Sequence, residues 1–145
     1  MVDKDRSSNL EPWRNIQLNI TVGDGEVSIG RLFNPGHRDT RRDSVSFPVD
    51  STQVEIPMPG SAKWLEQPHL GVFIDGKTPQ KIRAHWEIPG KELNVERLVT
   101  VETSQGSAVV EIVRTYSLSD DGSELTVVET RSSRPSPLTY VYTRQ

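Results

Sequence analysis

The 145-residue chain contains no cysteine. That excludes disulfides, thiol nucleophiles and cysteine-based metal centres. No apolar stretch approaches the ~20 residues that a membrane-spanning helix needs. Neither charge dominates: the formal net charge is -3, which gives no broad attraction to nucleic acid or to anionic lipid. The nucleophile elbow, the phosphate loop, the dinucleotide fingerprint and the zinc signature are all missing. Apolar residues are scarce, at 33% of the chain, whereas charged residues at 26% are ordinary. A thin curved sheet or a small barrel, with one face wet, accommodates that balance. The length suits one domain with a real core.

What the chain does have is alternation. Leu93, Val95, Val99 and Val101 alternate, then Ser104-Gln105-Gly106-Ser107 turns the chain. Val110, Ile112, Tyr116 and Leu118 follow, then the turn Asp120-Asp121-Gly122-Ser123. Leu125 and Val127 come next, and Leu138, Tyr140 and Tyr142 follow a linker at Arg134-Pro135-Ser136-Pro137. A period of two sends one set of side chains to one face, so each run buries one side. Strands joined this closely pair with their sequence neighbours as an antiparallel meander. Upstream, Ile16 to Val22 and Val27 to Phe33 flank the turn Gly23-Asp24-Gly25. Val45 to Val49, Val54 to Ile56, Val72 to Ile74 and Ile82 to Ile88 supply further short strands. The expectation is an all-β, up-and-down meander that closes into a barrel of about 8–10 strands. Residues 1–12 are predicted to be a polar, mobile lead-in, with one domain over 13–145. Pro57 to Leu70, irregular and proline-rich, is the candidate lid or barrel plug.

Several charged residues fall in the apolar phase. Arg97 lies between Val95 and Val99, and Arg114 between Ile112 and Tyr116. Glu129 and Arg131 continue the phase of Leu125 and Val127, Arg31 that of Ile29, and Arg144 that of Tyr142. Burying an unpaired guanidinium costs several kcal/mol. Two readings follow. Either Arg97, Arg114 and Glu129 pair among themselves or turn to water at a bulge, or Arg97 and Arg114 line a cavity and clamp an anionic group. In the second reading Tyr116, Tyr140 and Tyr142 add hydroxyl donors and Trp86 an apolar wall.

Other candidates are plainer. His37 with Asp39 and Asp43 has metal-ligand chemistry, but a histidine in a polar loop is ordinarily just solvated. His85 alternates with Trp86 and so belongs to the outer face. Arg38, Arg41 and Arg42 form a small basic patch diluted by aspartates. Trp13 and Trp64 suit core packing, the end of a barrel or stacking on a sugar. Glu11 and Glu66 cannot be placed in space from sequence.

The stretch Arg114-Thr115-Tyr116-Ser117-Leu118-Ser119-Asp120-Asp121-Gly122-Ser123-Glu124-Leu125-Thr126-Val127, with the closing strand Thr139-Tyr140-Val141-Tyr142, resembles a hairpin of bacterial lipocalin-like proteins. The likeness covers about the last sixty residues; the Gly-x-Trp of the lipocalins proper is absent, Trp13 following Glu11-Pro12. It implies a calycin-type barrel in an exported bacterial protein that holds a small apolar or amphipathic ligand. Fatty-acid-binding barrels of that group use an interior arginine and an Arg-x-Tyr, a form that Arg114-Thr115-Tyr116 shares. The expected function is therefore a binding module for an amphipathic or anionic small molecule. The expected site is Arg97, Arg114, Tyr116, Glu129, Tyr140, Tyr142 and Trp86, without cofactor, nucleic acid or membrane span, in a monomer or homodimer. A periplasmic or secreted location, with a leader removed ahead of the polar start, stands beside a cytoplasmic one. The alternatives are a barrel enzyme of isomerase or cyclase type and a structural or adhesive domain with a filled core.

Overall fold

A computed structural model describes residues 1–10, 13–34, 36, 40–58 and 77–145. Strands β1 (Val2–Asp3), β2 (Asn15–Val22), β3 (Glu26–Asn34), β4 (Arg41–Pro48), β5 (Val54–Ile56), β6 (Gln80–Ile88), β7 (Glu92–Thr103), β8 (Gly106–Leu118), β9 (Glu124–Arg131) and β10 (Arg134–Thr143) run through them, with no helix among the described residues. Seven strands form one antiparallel sheet in the order β1-β10-β9-β8-β7-β6-β5, and β2-β3-β4 form a second. The expected meander is present from β6 to β10. The predicted strand at Val72–Ile74 and the candidate lid from residue 59 onward lie outside the described residues.

Parity explains why each ladder holds. β7 buries Leu93, Val95, Arg97, Val99 and Val101 and leaves the residues between them partly wet. Opposite them β8 buries Val110, Ile112 and Tyr116, and β6 buries Ile82 and Ala84. Ile16, Val27, Ile29, Phe33 and Phe47 of the small sheet join Ile82, Leu93, Val95, Tyr116 and Val127 of the large one in a single apolar cluster. Each fully buried side chain of this kind contributes about 1.5–3 kcal/mol. The two sheets therefore face each other across a shared interior. Neither sheet closes on itself, but their margins meet: β4 lies against β6, and β1 against β2.

The turns follow the sequence. Gly90 and Gly122, at φ 70 and 69, take the left-handed backbone that the β6–β7 and β8–β9 turns need. In the latter the Asp121 carboxylate accepts from the Ser123 hydroxyl at 2.7 Å, the Ser123 amide at 3.0 Å and the Ser119 hydroxyl at 2.7 Å. Those bonds, the Ser123 hydroxyl first, hold its carboxyl down to about 2.

Two expectations need correction. The β9–β10 turn falls at Ser132-Ser133, and β10 begins at Arg134. Pro135 and Pro137 cannot donate to a ladder, so pairing jumps from Arg134↔Arg131 to Leu138↔Glu129 instead of ending. Nor does the start of the chain stand apart from the sheet. Val2 pairs with Tyr142, the Ser7 and Ser8 hydroxyls accept from the Val141 and Thr139 amides, each at 2.9 Å, and Leu10 is buried.

One backbone link joins the sheets where the chain leaves β4. Asp50 bridges to His85 of β6, and the Ser51 amide donates to the Ala84 carbonyl at 2.9 Å. Ser51 has φ 69, a conformation that costs a side-chain-bearing residue about 1–2 kcal/mol. Glycine has no such cost but loses more chain entropy on folding. Ser51→Gly is therefore expected to raise stability by about 0.5–1 kcal/mol in urea denaturation; a less stable variant would mean that the link needs the serine side chain.

Candidate functional site

The interior charges sit where strand register puts them. Arg114 of β8 faces Glu129 of β9 directly across the ladder, and Arg31 of β3 faces Asp43 of β4. Arg114 Nε donates to Glu129 Oε1 at 2.5 Å, and Arg131 Nε donates to Glu129 Oε2 at 2.6 Å. Glu129, only 2% exposed, thus lies between two guanidinium groups. Arg31 grips Asp43 with two nitrogens, Nε donating at 3.0 Å, and its guanidinium carbon stands 5.2 Å from the centre of the Phe33 ring. Arg97 Nε donates to Gln80 Oε1 at 2.9 Å. The same register sends the next residues out: Arg83 and Glu96 form their ion pair on the wet face.

Among the described residues, three cavities follow one another between the sheets. The widest, about 580 Å³, is walled by Leu18, Ile20, Trp86, Leu93 and Leu125, with Val22 and Leu118 at its mouth. Leu18, Tyr116 and Tyr142 separate it from a space of about 40 Å³ bordered by Arg31, Arg114, Glu129, Arg131 and Tyr140. Arg31, Arg114 and Tyr116 then border a third, of about 110 Å³, that reaches Asp43, Gln80 and Arg97. Tyr116 borders all three.

All seven expected residues face this interior, although not as one cluster. Trp86 stands on the wide cavity and Arg97 on the farthest one, with Tyr116, Tyr142 and Arg114 between. Glu129 pairs with Arg114 as the plainer reading had it, while Arg97 turns to Gln80. Arg144 is not inside: it is exposed at the mouth, because β10 ends at Thr143. Sequence reasoning gave no site role to Gln80, Arg131 or the wall of Leu18, Ile20, Leu93 and Leu125. Gln80, Leu93, Leu125 and Arg131 share a phase with Trp86, Arg97 and Glu129 on their own strands, and Leu18 and Ile20 share one with the buried Ile16; that was the available signal. Asp43, weighed as a metal ligand, is the carboxylate that meets Arg31; His37 and Asp39 lie outside the described residues, as do Arg38, Trp64, Glu11 and Glu66. Arg41 and Arg42 are exposed on the edge strand β4, His85 bonds Glu87 at 2.7 Å, and Trp13 packs on Phe33 at 5.2 Å.

Burial raises the phenol of Tyr140 above its ordinary value, with a further push from Glu129, and raises that of Tyr142 more strongly, helped by Tyr116. Both therefore stay neutral donors at any physiological pH. Compared with protein-family models, curated proteins and solved structures, the chain finds no match in any of the three.

Removing the Glu129 charge leaves the buried Arg131 and the half-buried Arg114 without their shared carboxylate. Glu129→Gln is expected to lower unfolding free energy by about 3 kcal/mol in chemical denaturation; a loss near zero would show that other groups balance those cations. The tyrosines give an alkaline limit. Their folded values lie above the unfolded 10.0, so the stabilisation is full below pH 10 and declines as pH rises past it. Ultraviolet difference spectra should show Tyr140 and Tyr142 ionising only together with unfolding; ionisation of both near pH 10 in the folded protein would contradict their burial.

Proposed function

We propose that the protein is a binding module that holds one amphipathic, acid-headed small molecule between its two sheets. The observation that carries this is the serial arrangement of an apolar chamber, a phenol partition and a layer of guanidiniums. A cavity of about 580 Å³ falls in the size range of ordinary small-molecule sites, which are mostly apolar with a few placed polar groups. The apolar body of the guest lies along Leu18, Ile20, Trp86, Leu93 and Leu125, and its head points to the Tyr116 and Tyr142 hydroxyls. Behind them, among the described residues of the layer, stand four guanidiniums, of Arg31, Arg97, Arg114 and Arg131, and two carboxylates, of Asp43 and Glu129. Guanidiniums are the groups that would draw an anionic head in preference to a neutral one.

The same reading takes the two sheets as walls of one incompletely closed, lipocalin-like barrel. The meeting of β4 with β6 and of β1 with β2, and the backbone link at Asp50 and Ser51, support it. The barrel-enzyme alternative lacks comparable support, since Glu129 is engaged by two guanidiniums and burial holds two of the phenols protonated. The filled structural domain draws on one observation, the pairing of Arg114 and Arg131 with Glu129, and the experiment separates the two.

Titration of Trp fluorescence with dodecanoate and with dodecanol tests this reading, with Trp86→Phe to assign the signal. Dodecanoate is expected to bind more tightly, and Arg114→Met to weaken it about tenfold while altering dodecanol no more than about twofold. Binding of neither amphiphile would favour the filled domain; equal losses for both would remove the role given to charge.

A further inference from the structure

The partition has a consequence for the length of the guest. Among the described residues Tyr116 is the one side chain that borders all three cavities, and with Leu18 and Tyr142 it divides the apolar chamber from the charged layer. It is buried on β8, directly opposite Leu93 of β7 and Val127 of β9, so its ring is clamped between neighbouring ladders. The far end of the chamber opens at Val22, 57% exposed, and Leu118, 39% exposed. A linear guest that enters head first therefore stops at the Tyr116 ring, and any length beyond the chamber emerges into water at the mouth.

We infer that Tyr116 is a depth stop that makes the site selective among unbranched carboxylic acids by chain length. This rests on the binding reading above. The role is given to the ring, not the hydroxyl, because side-chain bulk is what fills the partition that Tyr116 shares with Leu18 and Tyr142. Without it the chamber runs on toward Arg114 and Arg31, and the head advances to meet them. Longer acids then bury methylenes that in the native protein lie outside.

Dissociation constants for saturated monocarboxylates of increasing length, measured by calorimetry on the full chain, read this directly. Each buried methylene should tighten binding about fourfold. In the native protein the gain should end at a definite length, beyond which the constant is flat. Tyr116→Ala should move that break to longer acids, and Tyr116→Leu, which keeps an apolar side chain in the core, should move it less. Tyr116→Phe should leave it in place. A native series that tightens without a break overturns the stop with no variant needed. So does an unchanged break in Tyr116→Ala or Tyr116→Leu, or a displaced one in Tyr116→Phe, and in those cases binding itself still stands. If no acid in the series binds the native protein, it is the binding reading that fails, and the stop fails with it.

Discussion

The carboxylate of Glu129, set between Arg114 and Arg131, is the interaction that lets this interior be both apolar and charged. Parity sends those arginines inward with Ile112, Tyr116 and Val127, and a β-strand offers no way to turn one side chain out without a bulge. The cations must be met where they stand. Glu129 meets two at once because it is opposite one and two residues from the other on the same strand. Asp43 does the same for Arg31 on the second sheet. The charged layer is thus assembled from cross-strand neighbours, the unit from which sheets are stabilised.

That layer also divides the space between the sheets. On one side Val99, Val101, Val110, Ile112 and Met58 form a closed apolar cluster; on the other the residues thin out toward an open chamber. Strand ends explain the opening. Val22 and Leu118 continue the inward phase but sit at the last positions of their strands, where nothing packs over them. The sheet margins are handled differently. Both edges of the large sheet are very short strands, β1 and β5, and β4, at a margin of the small one, carries the exposed Arg41 and Arg42. Short or charged edges resist pairing with other chains.

Much of this was legible in the sequence because period two is a strong signal. From Leu93 to Val127 each inward residue could be named, Arg97 and Arg114 included, since alternation and turn chemistry agree there. That Arg97, Arg114, Tyr116 and Glu129 face the interior was legible for the same reason; their order along it was not. Alternation fixes the face but not the neighbour, so it could not tell that Arg97 would reach Gln80, or that Asp43 would answer Arg31 from another strand. The misplaced β9–β10 turn came from reading Pro135 and Pro137 as a loop, when an edge-side irregularity absorbs them. The docked start of the chain was illegible because a strand of two residues has no period, and its pairing partner lies at the other end of the sequence.

That pairing orders the assembly of the molecule in time. The hairpins close loops of a few residues, whereas the ladder of Val2 with Tyr142 joins positions 140 apart. In an unfolded chain such a closure costs about 3 kcal/mol more in entropy than a hairpin's. Once the intervening strands have condensed, most of that separation is already spanned. Loop-closure entropy therefore favours docking of β1 after the hairpins and not before them.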